Sequence, residues 1–128
     1  MKNKNGSTGL YTGLYTKNIE INTEKILKLS EELGDIDISL KSKQVKDGFG
    51  KGFVDIPHTD KMGLFNLQGY LHNNRPFYKK KDNEVYFFYD GADTWWIGNE
   101  KEKKSGYWYV EDEALIPHEI KNTWYVGT

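Results

Sequence analysis

Gly48-Phe49-Gly50-Lys51-Gly52 has the glycine density of a phosphate-cradling loop, because glycine lets backbone N–H groups close on an anion. It lacks the Gly-Lys-Ser/Thr ending of a P-loop and the strand-to-helix setting of a dinucleotide fingerprint, so a hairpin tip or loop is the expectation. His58, His72 and His118 stand far apart, without the i, i+4 partner or cysteine company that zinc sites favour. His58-Thr59-Asp60 reads as a solvated turn, and no metal or cofactor is expected. No serine has the Gly-x-Ser-x-Gly setting of a nucleophile elbow, and no acid/base pair stands out by spacing among 19 acidic residues. Glu111-Asp112-Glu113 and Lys101-Glu102-Lys103-Lys104 read as solvated charge runs. The expectation is a protein that is not an enzyme and has no catalytic residues.

The aromatic residues remain as the one constellation that could recognise a partner. Three of the four tryptophans fall between Glu84 and Val110, in the runs Val85 to Tyr89, Thr94 to Gly98 and Tyr107 to Glu111. Turn or charged residues separate these runs, which is the pattern of an antiparallel meander. Alternation puts Trp95 and Ile97 on one face and Trp96 on the other, and separates Trp108 and Val110 from Tyr107 and Tyr109. Both faces of the sheet therefore carry rings. Trp95, Ile97 and Tyr109 are expected in the core, and Trp96 and Trp108 on the side whose cover depends on residues 9–40.

Composition bounds the class. A chain of 128 residues makes one domain with one core. Its hydrophobic fraction is only 37% while 15% is aromatic, so the core must be built from a few large rings, which favours sheet over bundle. A formal net charge of -1 gives no global field to attract a polyanion, so nucleic acid is not an expected partner. Cysteine is absent, which removes disulfides, thiolate catalysis and thiolate zinc sites together. No run of roughly 18 to 20 apolar residues offers a membrane span, and the start has no apolar leader. An intracellular, soluble protein is the expectation, with Asn5-Gly6-Ser7 a chance sequon.

The elements that must position the rings can be read in order. Residues 1–16 are expected to form a flexible arm that contains Gly9-Leu10-Tyr11-Thr12 and its repeat Gly13-Leu14-Tyr15-Thr16. The bland reading of the repeat is a strand with glycine turns; the sharper one is an adhesive arm that adds a strand to a neighbour's sheet edge through Tyr11 and Tyr15. Asn22 or Thr23 caps a helix over about 23–33, with Ile26, Leu29 and Leu33 at i, i+3, i+7 and Gly34 as its stop. Asp35 to Leu40 alternates like a half-buried strand with Ile36, Ile38 and Leu40 on one face. Residues 17–60 thus form a helix-strand region with a Gly-rich connector, and 61–128 an aromatic β-meander packed with it. Strands are expected at Gly63 to Leu71 and Arg75 to Tyr78 around Asn73-Asn74, then at the three aromatic runs, with a last strand or docked tail at Trp124-Tyr125-Val126. The fold class is α+β with β dominant: an antiparallel meander of four to five strands, one helix, and one or two N-terminal strands.

With these runs in place, residues 63–126 resemble a small Trp/Tyr/Gly-rich all-β repeat module of protist and algal proteins. The matching residues are Gly69 and Tyr70, then Arg75, Pro76 and Tyr78, then Tyr86 to Tyr89. Trp95, Ile97 and Gly98 follow, then Gly106 with Tyr109, and finally Pro117 and Trp124. The resemblance covers about half the chain and implies a compact binding or scaffolding unit without enzymatic activity. One departure is that Gly69 and Tyr70 are adjacent, where the module usually has Gly-x-Tyr in its first strand.

The leading functional expectation is a non-enzymatic protein-interaction or assembly module, a small subunit of a larger complex or particle, which meets a protein partner or its own copies through the arm or a sheet edge. Trp96, Trp108, Tyr125, Tyr11 and Tyr15 are its expected contact residues. The alternative is a carbohydrate-binding module, with Trp96, Trp108 and Tyr125 stacked on sugar rings and Asp90, Asp93 or Asn99 bonding hydroxyls. Single-stranded nucleic acid on a ring-bearing sheet is a third possibility that the balanced charge disfavours.

Overall fold

The computed structural model describes residues 22–40, 45–46, 59–100 and 105–127. One helix, α1 (Thr23–Leu33), precedes β1 (Ile36–Ile38), β2 (Val45–Lys46), β3 (Gly63–His72), β4 (Arg75–Lys80), β5 (Tyr86–Tyr89), β6 (Thr94–Gly98), β7 (Trp108–Glu111) and β8 (Trp124–Val126). The helix begins as its sequence dictates. The Asn22 side chain accepts from the Lys25 N–H at 3.0 Å, Glu24 occupies the first turn, and Gly34 leaves the helix at φ 76° with its N–H on the Ser30 carbonyl.

The sheet is larger than the expected four to five strands. Strands β3 to β8 form a continuous antiparallel meander, β1 adds antiparallel to β3 at one edge, and β2 adds parallel to β8 at the other, in the order β1-β3-β4-β5-β6-β7-β8-β2. The two residues of β2 are too few to show any period, and their partner stands some eighty positions away, so the sequence offers no local sign of that pairing. Both segments of the N-terminal region thus belong to the same sheet as the aromatic runs.

Local backbone chemistry sets the register. Asn73 and Asn74 both take positive φ, 53° and 63°, and close β3 onto β4 in a two-residue turn of the hairpin-favouring hand. Gly69 has φ +83° where the β3/β4 register shifts between Leu67 and Leu71, a break in the ladder at which glycine adopts a backbone that other residues rarely do.

The meander curls. Phe87 on β5 and Trp124 on β8 are three strands apart, roughly 14 Å in a flat sheet at about 4.8 Å per strand, yet their ring centroids are 5.9 Å apart. The concave side holds Phe65, Tyr78, Phe87, Tyr89, Trp95, Ile97, Trp108 and Val110, with Ile38 of β1 closing the same cluster. Ladder pairing fixes this parity, since Trp95 faces Val110 and Ile97 faces Trp108.

Helix α1 packs on β3 and β4, where Ile26, Leu29 and Leu33 meet Leu71, Leu115 and Ile116 in a second cluster. Arg75 joins the two. Its guanidinium lies 4.0 Å above the Tyr89 ring and donates to the Glu113 carbonyl at 2.7 Å and the Ala114 carbonyl at 3.2 Å, while Trp95 Nε1 donates to the same Ala114 carbonyl at 3.1 Å. Residues 112–116 are thereby held so that Leu115 and Ile116 reach the helix.

Phe87 touches Phe65, Tyr78, Trp95 and Trp124. Phe87→Ala should therefore lower unfolding free energy by about 3–5 kcal/mol in urea titrations. Leu64→Ala, at a side chain 53% exposed, should stay within about 0.5 kcal/mol of the parent.

Candidate functional site

Every other residue of β6, β7 and β8 faces away from the core, and on that convex side Trp96 pairs with Tyr109 and Tyr109 with Tyr125. The three rings form a row across three strands, with centroids 5.0 Å apart for Trp96 and Tyr109 and 5.4 Å for Tyr109 and Tyr125. The Tyr109 and Tyr125 rings are stacked at an interplanar angle of 21°, and Trp96 is tilted by 35° against Tyr109. All three are half-buried. The Tyr109 hydroxyl is pushed up from its ordinary value, first by burial and then by the charge of Glu111 and by Tyr125.

Asp90 fixes one end of the row. Its Oδ2 accepts from Trp96 Nε1 at 3.2 Å, and its Oδ1 accepts from the N–H groups of Ala92, Asp93 and Thr94 in the β5–β6 turn. Burial alone would raise this carboxyl, but the hydrogen bonds outweigh it and hold Asp90 below the usual carboxylate range. Asp112 does similar work beyond β7, accepting from Ala114, Lys121 and Asn122 N–H groups. Neither carboxylate is a plain solvated charge, which is how Glu111-Asp112-Glu113 reads in sequence. The signal for both is an aspartate followed by a turn, as in an Asx-turn.

The predicted contact residues separate. Trp96 and Tyr125 are brought together, with Tyr109 between them. Trp108 is at 0% exposure on the concave side opposite Ile97, so its expected place beside Trp96 is corrected, and Tyr109 takes that place instead of the core. A one-residue slip in the register of β7 relative to β6 exchanges the two faces, and alternation alone does not say which parity turns inward. Tyr11 and Tyr15, with the rest of the 1–16 arm, fall outside the described residues, as do Gly48 to Gly52, His58 and Lys101 to Lys104.

The rest of the convex side is more closed. Phe77 and Phe88 are buried there, with His72 edge-on to both and Tyr70 packed on Phe77 at 5.1 Å. Tyr70 is itself 59% exposed. Among the described residues no group of three or more His, Asp or Glu could hold a metal ion, and no helix is long and apolar enough to cross a membrane. No protein-family model, curated protein or solved structure matches this chain.

A carboxyl whose folded value is depressed stabilises the fold above its ordinary pKa and loses that contribution as pH falls. The contribution of Asp90 should therefore hold down to about pH 4 and be lost below it. Asp90→Asn should cost about 1–2 kcal/mol at neutral pH, since Nδ2 cannot accept from Trp96, and should flatten the acid limb of a stability-against-pH series read by thermal melts.

Proposed function

We propose that this chain is a non-enzymatic protein-interaction module whose contact surface is the convex ladder Trp96–Tyr109–Tyr125. The mutual stacking of these rings carries the reading. A sugar ring binds on an open aromatic face, and here the central Tyr109 has Trp96 at 5.0 Å on one side and Tyr125 at 5.4 Å on the other. Ring edges and hydroxyls are left for a partner. Such a strip suits a polypeptide, which offers side chains and carbonyls to edges, and aromatic residues are enriched at protein interfaces.

Of the polar groups named for the carbohydrate alternative, Asp90 is already taken up by its own turn and by Trp96. The resemblance of residues 63–126 to a binding or scaffolding module points toward the protein reading. A role as a subunit of a larger assembly, with Tyr11 and Tyr15 in an adhesive arm, belongs to the same proposal and rests on sequence alone.

Immobilised protein exposed to a lysate of cells that express it should retain a protein partner, a second copy included. Trp96→Ser combined with Tyr109→Ser should reduce retention at least about tenfold while circular dichroism keeps its folded signature. Equal retention by parent and variant, or a shift of tryptophan emission on titration with soluble polysaccharides, would reject the reading.

A further inference from the structure

Tyrosines are the residues that one-electron oxidants join in pairs, and the convex row sets two of them side by side. Tyr109 and Tyr125 are direct ladder partners on β7 and β8, with ring centroids 5.4 Å apart and planes within 21° of each other. Both are half-buried, so their rings are within reach of solvent. Tyr125 also contributes to the upward push on the Tyr109 hydroxyl, so the phenol ends of the pair lie near each other.

The other described tyrosines are placed differently. Tyr78 and Tyr89 are buried in the core, Tyr70 rests on Phe77, Tyr107 rests on Trp108, and the Tyr86 hydroxyl donates to Glu84. Among the described residues, Tyr109 with Tyr125 is the pair of tyrosines in ring contact.

Two phenols joined by oxidation form a carbon–carbon bond between the ring positions next to their hydroxyls. Each hydroxyl gives up one electron and one proton, the two phenoxyl radicals couple, and the ring hydrogens at the new bond shift to the oxygens and restore both phenols. Hydrogen peroxide, working through a haem peroxidase, takes the two electrons and two protons and leaves as two water molecules. In rings stacked at 5.4 Å the coupling carbons meet by a turn of the side chains about their χ torsions. Trp96 lies against the other side of Tyr109 at 5.0 Å, and an indole radical formed there draws an electron from the neighbouring phenol. Oxidation at either ring thus arrives at the same pair.

We infer that Tyr109 and Tyr125 are a site of oxidative cross-linking, joined as a dityrosine that staples β8 to β7. The link closes the chain between residues 109 and 125 and lowers the entropy of the unfolded state, as a disulfide would in a chain that had cysteine. Its position bears on the whole sheet. Trp124, the residue before Tyr125, closes the curl on Phe87, and β8 is paired on its other side with the two residues of β2. The cross-link needs no partner, so it stands independently of the protein-interaction reading.

The test treats the whole chain with a haem peroxidase and limiting hydrogen peroxide, followed by mass spectrometry and fluorescence of the monomer fraction. The monomer should lose the mass of two hydrogens and gain dityrosine emission, with a yield per chain that does not fall on dilution. Trypsin should release residues 105–121 joined to residues 122–128, where Tyr125 is the only tyrosine of the second peptide, and fragmentation should put the link on Tyr109 of the first. Tyr109→Phe and Tyr125→Phe, which keep the rings, should each abolish the linked peptide, whereas Tyr70→Phe, at the more exposed Tyr70, should leave it unchanged. The cross-linked monomer should also melt at a higher temperature than the untreated chain. A monomer without dityrosine, a link placed on other tyrosines, a yield that falls on dilution, cross-linking that survives in Tyr125→Phe, or an unchanged melting temperature would overturn the inference.

Discussion

Phe87 and Trp124 can touch only if the sheet curls, and that contact governs the rest of the molecule. Antiparallel neighbours are held at a fixed spacing by their hydrogen bonds, so rings on β5 and β8 would be far apart in a flat meander. Right-handed strand twist lets the sheet close on itself, and apolar burial drives the closure. Once it closes, one parity of every strand points into a confined space and must be large and apolar. Phe65, Tyr78, Phe87, Trp95 and Trp108 fill it, which is how a chain poor in aliphatic residues obtains a core. The other parity turns outward, and on β6 to β8 its rings Trp96, Tyr109 and Tyr125 meet in a row.

Polar groups fix what the rings leave loose. Arg75 stacks on Tyr89 and binds the Glu113 and Ala114 carbonyls, so a single buried cation ties the concave core to the segment that carries Leu115 and Ile116 under α1. The Tyr89 hydroxyl reaches the Ala92 carbonyl, and Asp90 gathers the N–H groups of that same turn together with the Trp96 indole. The hairpin that builds the convex ladder and the ladder's first ring are therefore positioned by one carboxylate. The buried Tyr78 hydroxyl stands apart from these networks, without a hydrogen-bond partner and pushed up by burial and then by Asp35.

Much of this could be read from residue order. The helix follows from Asn22, the Ile26-Leu29-Leu33 stripe and Gly34, and the strand at Ile36–Ile38 follows from alternation. The hairpins at Asn73-Asn74 and Asp90 to Asp93 follow from their turn residues. Pairing at a distance could not be read in this way. Nothing in Val45-Lys46 announces a parallel partner at Trp124-Tyr125, and nothing within Tyr107 to Glu111 says which parity turns inward. That choice is made by register against β6, so Tyr109 and Trp108 exchange places relative to expectation while Trp95, Trp96 and Ile97 keep theirs. The roles of Asp90, Asp112 and Arg75 needed the fold as well, because each binds groups that only folding brings near.

The functional account depends on that parity, since the ladder exists only if Tyr109, and not Trp108, faces outward beside Trp96. Resonance broadening of the four indole N–H signals by a soluble paramagnetic agent reads it directly. Trp96 and Trp124, both half-buried, should broaden, and Trp95 and Trp108, both at 0% exposure, should broaden least. A Trp108 signal that broadens together with Trp96 would contradict the parity and remove the ladder with it.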